Sequence, residues 1–105
     1  MNAKKEFLDH IEDRQVLCAR LIYEISYNEN LYYELHINYT TDDYRNFLKS
    51  IDFEYDNGYG SMELEGTIWY TDGTWSDRGE YDGSEWWSHK VCPPIPPNLL
   101  DKNEQ

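Results

Sequence analysis

The sequence predicts an α+β fold: an antiparallel five-stranded sheet with two helices on one face, in the order αββαβββ. Three observations lead there. Two stretches space their apolar residues as a helix does, two long stretches between them alternate with a period of two, and two Asp-Gly pairs punctuate an aromatic C-terminal third. At 105 residues the chain has room for one modest core, not for a cofactor domain beside a substrate domain. Residues 1–95 are expected to form a single α+β domain, and 96–105 a proline-flanked, partly mobile tail.

Residues 3–14 (AKKEFLDHIEDR) set Phe7, Leu8 and Ile11 on one stripe among charged neighbours, which predicts a short amphipathic helix. From Gln15 the period falls to two. Leu17, Ala19, Leu21, Tyr23, Ile25 and Tyr27 share one face of a strand, and Leu31, Tyr33, Leu35, Ile37 and Tyr39 repeat the pattern after the turn Asn28-Glu29-Asn30. VLCARLIYEI also tolerates helical spacing, but its β-branched and tyrosine content favours strand. Thr40-Thr41-Asp42-Asp43 offers cap oxygens and first-turn acids ahead of Tyr44, Phe47, Leu48 and Ile51, so a second helix is expected over residues 42–51.

Asn57-Gly58 and Tyr59-Gly60 close a loop. Strands are then expected over residues 61–70, 74–81 and 84–91, joined at Asp72-Gly73 and Asp82-Gly83 by type I′ turns, in which both central residues take positive φ. The two aspartates need no catalytic role. The exit CPPIPPNLL favours polyproline II and cannot pair as a central strand, with Leu99 and Leu100 placed to pin it to the body.

Charge is the strongest global signal. Nine Lys and Arg against 21 Asp and Glu give a formal net charge of -12, which repels nucleic acids and anionic membranes and attracts basic surfaces. Residues 52–85 hold ten acids and one base, Arg78, interleaved with aromatic and aliphatic residues that a disordered acidic tail would lack. A folded acidic surface is expected, with no direct nucleic-acid binding. No secretory signal and no membrane span is legible, so a cytoplasmic location is expected. There Cys18 and Cys92 would be free thiols and Asn38-Tyr39-Thr40 no glycosylation site.

His89 and Cys92 are three apart but have no matching second pair, and the loop from Asp72 lacks the glycine and the glutamate of a calcium loop, so neither a metal nor a cofactor is expected. No phosphate loop, nucleophile elbow or zinc-protease motif accompanies His10, His36 and His89, and no enzymatic activity is expected. Aromatic residues make up 16% of the chain, so most must serve packing; Tyr23, Tyr33, Phe47 and Trp69 are assigned to it. Trp86 and Trp87 are adjacent in one strand and must point to opposite faces, so one of them is expected on the face away from the helices. A tryptophan among Asp77, Glu80, Asp82 and Glu85 has the composition of a binding hot spot, an aromatic anchor in an acidic rim. Glu63 and Glu65, two apart on a strand and so about 6.6 Å apart on one face, extend it. Glu63, Glu65, Trp75, Asp77, Glu80, Asp82, Glu85 and Trp86 are therefore the candidate partner-binding set. A regular row of acids on a rigid sheet also approximates the charge spacing of a nucleic-acid backbone.

The segment GTIWYTDGTWSDRGEYDGSEWWSHKVCPPIPPNL, about a third of the chain, resembles segments of small uncharacterised acidic proteins encoded by bacteriophages. That resemblance implies no chemistry. More loosely, a small, highly acidic chain without catalytic motifs is similar to phage proteins that block host defence, including anti-CRISPR and DNA-mimic inhibitors; it implies inhibition and transfers no residue roles. The expected function is a phage-type inhibitor that occludes a basic nucleic-acid-binding surface of a host protein, in the host cytoplasm. The alternatives are an assembly protein that self-associates, as in a homodimer, through a sheet edge or its tyrosine-rich hairpin, and a small sugar-binding module or enzyme.

Overall fold

A computed structural model describes residues 1–26, 28–55, 63–81 and 84–100. Seven elements follow the expected order: α1 (Ala3–Ile11), β1 (Val16–Ser26), β2 (Glu29–Leu35), α2 (Thr41–Ser50), β3 (Leu64–Tyr70), β4 (Trp75–Tyr81) and β5 (Ser84–Lys90); a four-residue helix, α3 (Pro97–Leu100), follows where only a polyproline II exit was expected. The strands form one open antiparallel sheet in the order β2-β1-β3-β4-β5. The fold is α+β as expected.

Caps set the helix limits. Asn2 accepts the amide of Lys5 at the start of α1, and Thr40 and Asp43 form a reciprocal capping box on α2. α1 stops at Ile11, three residues short of the expected end, because Glu12 turns to a φ of 52° and leaves helical geometry. The Arg14 guanidinium then donates to the His10 carbonyl at 2.8 Å, occupying an acceptor the helix end leaves open.

Alternation failed in two places. A bulge between Val16 and Cys18 in the pairing with β3 shifts the phase, so that Val16 is buried and Leu17, expected inside, is exposed. β2 ends at Leu35, leaving Ile37 exposed in a turn in which Asn38 has a φ of 65°, and Tyr39 reaches back to donate to the Val16 carbonyl at 2.6 Å. Tyr27 lies outside the described residues.

The Asp72-Gly73 hairpin also differs from type I′. Only Gly73 takes positive φ, 86°, while the Gly73 amide bonds the Tyr70 carbonyl and the Tyr70 amide bonds the Thr74 carbonyl. This is a three-residue loop, a type I turn closed by a glycine in the left-handed region. The Asp72 carboxylate accepts the Thr74 amide at 2.9 Å, which stabilises that shape. Asp82-Gly83 lies outside the described residues, although Tyr81 and Ser84 on either side pair with each other.

Both long helices pack on one face of the sheet. α1 contributes Ala3, Phe7 and Ile11 to the core and α2 contributes Phe47, with the two helices meeting where Phe7 and Phe47 stack edge to face at 5.5 Å. Ala19, Leu21, Leu35, Leu64, Ile68 and Tyr70 supply the sheet side. The exit does not pack: residues 91–100 are exposed throughout, and Leu99 and Leu100 are 69% and 64% exposed, so they do not pin the chain to the body as expected. No helix among the described residues is long and apolar enough to cross a membrane.

Candidate interaction surface

Cross-strand register settles which side chains share a face, because residues directly opposite each other point the same way. Ala19 pairs with Ile68, Ile68 with Ser76, and Arg78 with Trp87, so these lie under the helices. The other parity faces away from them: Arg20 and Ile22 of β1, Tyr32 and Glu34 of β2, Glu65, Thr67 and Trp69 of β3, Trp75, Asp77 and Tyr81 of β4, and Trp86 and Lys90 of β5. No described helix covers this outer face.

It is aromatic first and charged second. Trp69 and Trp86 are 42% and 43% exposed and Tyr81 77%, while Trp75, half-buried, sits directly opposite Trp69. Of the adjacent tryptophans, Trp87 is therefore the buried one and Trp86 the exposed one. Trp86 lies over Gly79: a methyl group there would come within 2.6 Å of its Nε1. Glycine at 79 thus makes the seat for the ring. The charges partly cancel, since Arg20 pairs with Glu34 at 2.6 Å and Lys90 with Asp77 at 3.0 Å. A shallow depression of about 440 Å3 is lined by Arg20, Ile22, Glu65, Gly66, Thr67, Trp69, Asp77 and Arg78.

Of the eight expected contact residues, Glu65, Trp75, Asp77 and Trp86 come together on this face. Glu63 is half-buried just ahead of β3, so the regular pair with Glu65 along one strand is not formed. Glu80 is exposed but lies on the helix side of β4, opposite Glu85. Asp82 lies outside the described residues.

Glu85 corrects the expectation most sharply. It is 3% exposed, and its carboxylate accepts the amides of Glu63 at 2.8 Å and Leu64 at 3.1 Å and pairs with Arg78 at 3.1 Å. The Arg78 side chain, equally buried, donates to the Leu64 carbonyl at 3.1 Å and to the Tyr55 hydroxyl at 2.8 Å, and pairs with Glu6 of α1 at 3.0 Å. Its guanidinium also sits 5.1 Å from the centroid of the Trp87 ring. Tyr55 in turn donates to Glu6, and burial together with that carboxylate pushes its phenol pKa far above the ordinary value. The one base of the acidic run is thus a buried hub that ties α1, Tyr55, β3 and β5 to β4. A buried charge is stable only when paired and hydrogen-bonded, so Glu85 belongs to the fold and is unavailable to a partner.

A second polar group lies under α1. His10 Nε2 is 2.7 Å from Ser76 Oγ, which is 2.8 Å from the Tyr70 hydroxyl, and the His10 ring stacks on Trp87. Serine beside histidine invites a nucleophile–base reading. Ser76 is fully buried and held between both partners, so its hydroxyl reaches no solvent and serves packing. Beside His10, a cleft of about 430 Å3 runs between α1 and the β5 edge, lined by Lys5, Glu6, Asp9, Trp86 and Trp87 among others. Among the described residues no three His, Cys, Asp or Glu side chains converge as metal ligands, and Cys18 and Cys92 are free thiols.

The placement of two residues, one on this surface and one beneath it, escaped the sequence. Trp69, assigned to packing, stands on the outer face at its centre; the alternation Glu65, Thr67, Trp69 carried that signal, since it opposes Leu64 and Ile68. Arg78 gave no signal, because both faces of WSDRGEY carry polar residues. No family model matches the chain, and no curated protein and no solved structure matches it.

Proposed function

We propose that this chain is an interaction protein that docks its outer sheet face onto a basic, nucleic-acid-binding surface of another protein and occludes it, the phage-type inhibitor role that its acidity and motif-free sequence suggest. The observation that carries the reading is the open face itself: Trp69, Trp75, Trp86 and Tyr81 on a rigid sheet with no described helix over them, in a chain of net charge -12. Exposed aromatic clusters in a polar rim are where binding energy concentrates. The net charge steers a basic partner to the face, and desolvation of the indoles sets how long it stays. The proposal assigns no catalysis, cofactor or metal to the chain.

The test passes host lysate over the tagged protein at low salt and then asks whether nucleic acid competes for what is retained. The expected result is a basic nucleic-acid-binding protein, displaced by DNA or RNA and lost from a Trp75→Ala/Trp86→Ala variant that keeps its fold. Retention indifferent to both nucleic acid and the double substitution would overturn it. Self-association is the second reading, because β2 and β5 are open sheet edges and β2 exposes Leu31 and Tyr32. Light scattering that shows mass rising with concentration, in the absence of any partner, would favour it.

A further inference from the structure

We infer that the depression around Trp69 is a receptor for an arginine side chain of the partner, with a guanidinium stacked on the indole and forked onto Asp77 and Glu65. This rests on the docking role proposed for the outer face and names the group that the face recognises.

Register builds the receptor. Thr67 of β3 lies directly opposite Asp77 of β4, and Glu65 and Trp69 flank Thr67 on the same side of β3. Asp77 is therefore the diagonal neighbour of both, at the about 7–8 Å that long and aromatic side chains can span. Together with Ile22, Gly66, Thr67 and the chain's own Arg20 and Arg78, the three line the shallow depression of about 440 Å3. Arg20 in its wall is held by Glu34 at 2.6 Å and Arg78 is turned inward to Glu6 and Glu85, while Lys90 pairs with the Oδ2 oxygen of Asp77 at 3.0 Å, so an incoming guanidinium shares Asp77 with Lys90 or displaces it. Among the described residues Glu65 has no cationic partner and no cation lies over the Trp69 ring.

The site is thus an exposed indole with two carboxylates at its edge, in a chain whose overall charge draws in cations. Those are complementary to a planar, delocalised cation. Guanidinium stacks flat on indole and offers parallel N–H groups to carboxylates, while the compact ammonium of lysine keeps its hydration and has no flat face. The same chain carries an internal instance of the arrangement: the buried Arg78 sits over Trp87 and pairs with Glu85 and Glu6.

The experiment titrates hexa-arginine and hexa-lysine, equal in charge, into the intact protein at low salt. Calorimetry gives affinity and tryptophan fluorescence reports the ring. The expected result is an arginine preference of about tenfold, falling to about twofold or less in Trp69→Leu and in Asp77→Asn, with lysine binding little changed by the tryptophan substitution. Equal affinity of the two peptides for the wild type, or a preference that survives Trp69→Leu, would overturn the arginine receptor and leave the docking face standing. Absence of binding by either peptide would overturn both.

Discussion

At the scale of single residues, the chemistry of this molecule turns on which polar groups are inside. Arg78 and Glu85 hold each other and three backbone groups at the start of β3, those of Glu63 and Leu64, in a dry interior. Arg78→Ala should therefore cost about 3–5 kcal/mol in a urea unfolding experiment, because Glu6 and Glu85 would remain buried without their counter-ion. A loss below about 1 kcal/mol would place the pair in solvent. The glycines give a sharper contrast. A methyl on Gly66 would sit 2.6 Å from the Arg20 carbonyl and 3.2 Å from the Leu21 Cα, both backbone atoms of β1 that cannot step aside. Gly66→Ala is expected to destabilise by about 1–3 kcal/mol. A methyl on Gly79 meets only the Trp86 ring, which can swing outward. Gly79→Ala should leave the unfolding midpoint nearly unchanged while shifting tryptophan emission and weakening partner binding.

At the scale of elements, α1 is docked through groups that must stay neutral or paired. Burial lowers the pKa of His10, the nearby Arg14 and Arg78 guanidiniums lower it further, and Glu12 opposes them. The unfolded chain takes up a proton near the ordinary value of about 6.5, where folded His10 resists it. The neutral imidazole against Ser76 therefore contributes fully above about pH 6.5 and is lost as pH falls through the lowered folded pKa. Urea midpoints measured from about pH 7.5 to about pH 5.5 should fall for the wild type and flatten in His10→Gln; equal slopes would remove His10 as the cause. The exit segment is the opposite case. With Leu99 and Leu100 in solvent, Leu99→Asp and Leu100→Asp should each change stability by less than about 0.5 kcal/mol, as thermal melts would show.

At the scale of the molecule, the acidic excess acts as a field more than as a pattern. The outer face brings Glu65 and Asp77 together with three tryptophans, but Glu85 is inside, Glu80 lies on the helix side, and Arg20 and Lys90 offset part of the charge. A regular nucleic-acid-like row is not what the described residues form. Association with a basic partner should accordingly be steered by net charge and held by the indoles. Raising salt from about 0.01 M to about 0.1 M, which contracts the Debye length from about 30 Å to about 10 Å, should slow association about tenfold or more. Dissociation should change little, whereas Trp86→Ala should speed it. Surface-bound kinetics separate the two, and a salt-independent on-rate would remove steering from the mechanism.

The parts of this protein governed by neighbours in sequence were legible without a structure. The alternating hairpin, the capping box at Thr40 and Asp43, the i, i+3, i+4 stripe of α2 and the opposite facing of Trp86 and Trp87 all follow from backbone periodicity and local hydrogen bonding, which act over a few residues. Inside and outside were a different matter wherever both parities of a strand were polar or both apolar. The bulge between Val16 and Cys18 reversed the phase at the start of β1, and β4 offered Ser76 and Arg78 against Trp75 and Asp77 with nothing local to choose between them. That choice was made when β3 paired between β1 and β4 and α1 laid Glu6 and Phe7 over one side. Burial energy depends on what is packed on top, and so only the tertiary structure decided that Arg78 and Glu85 became core.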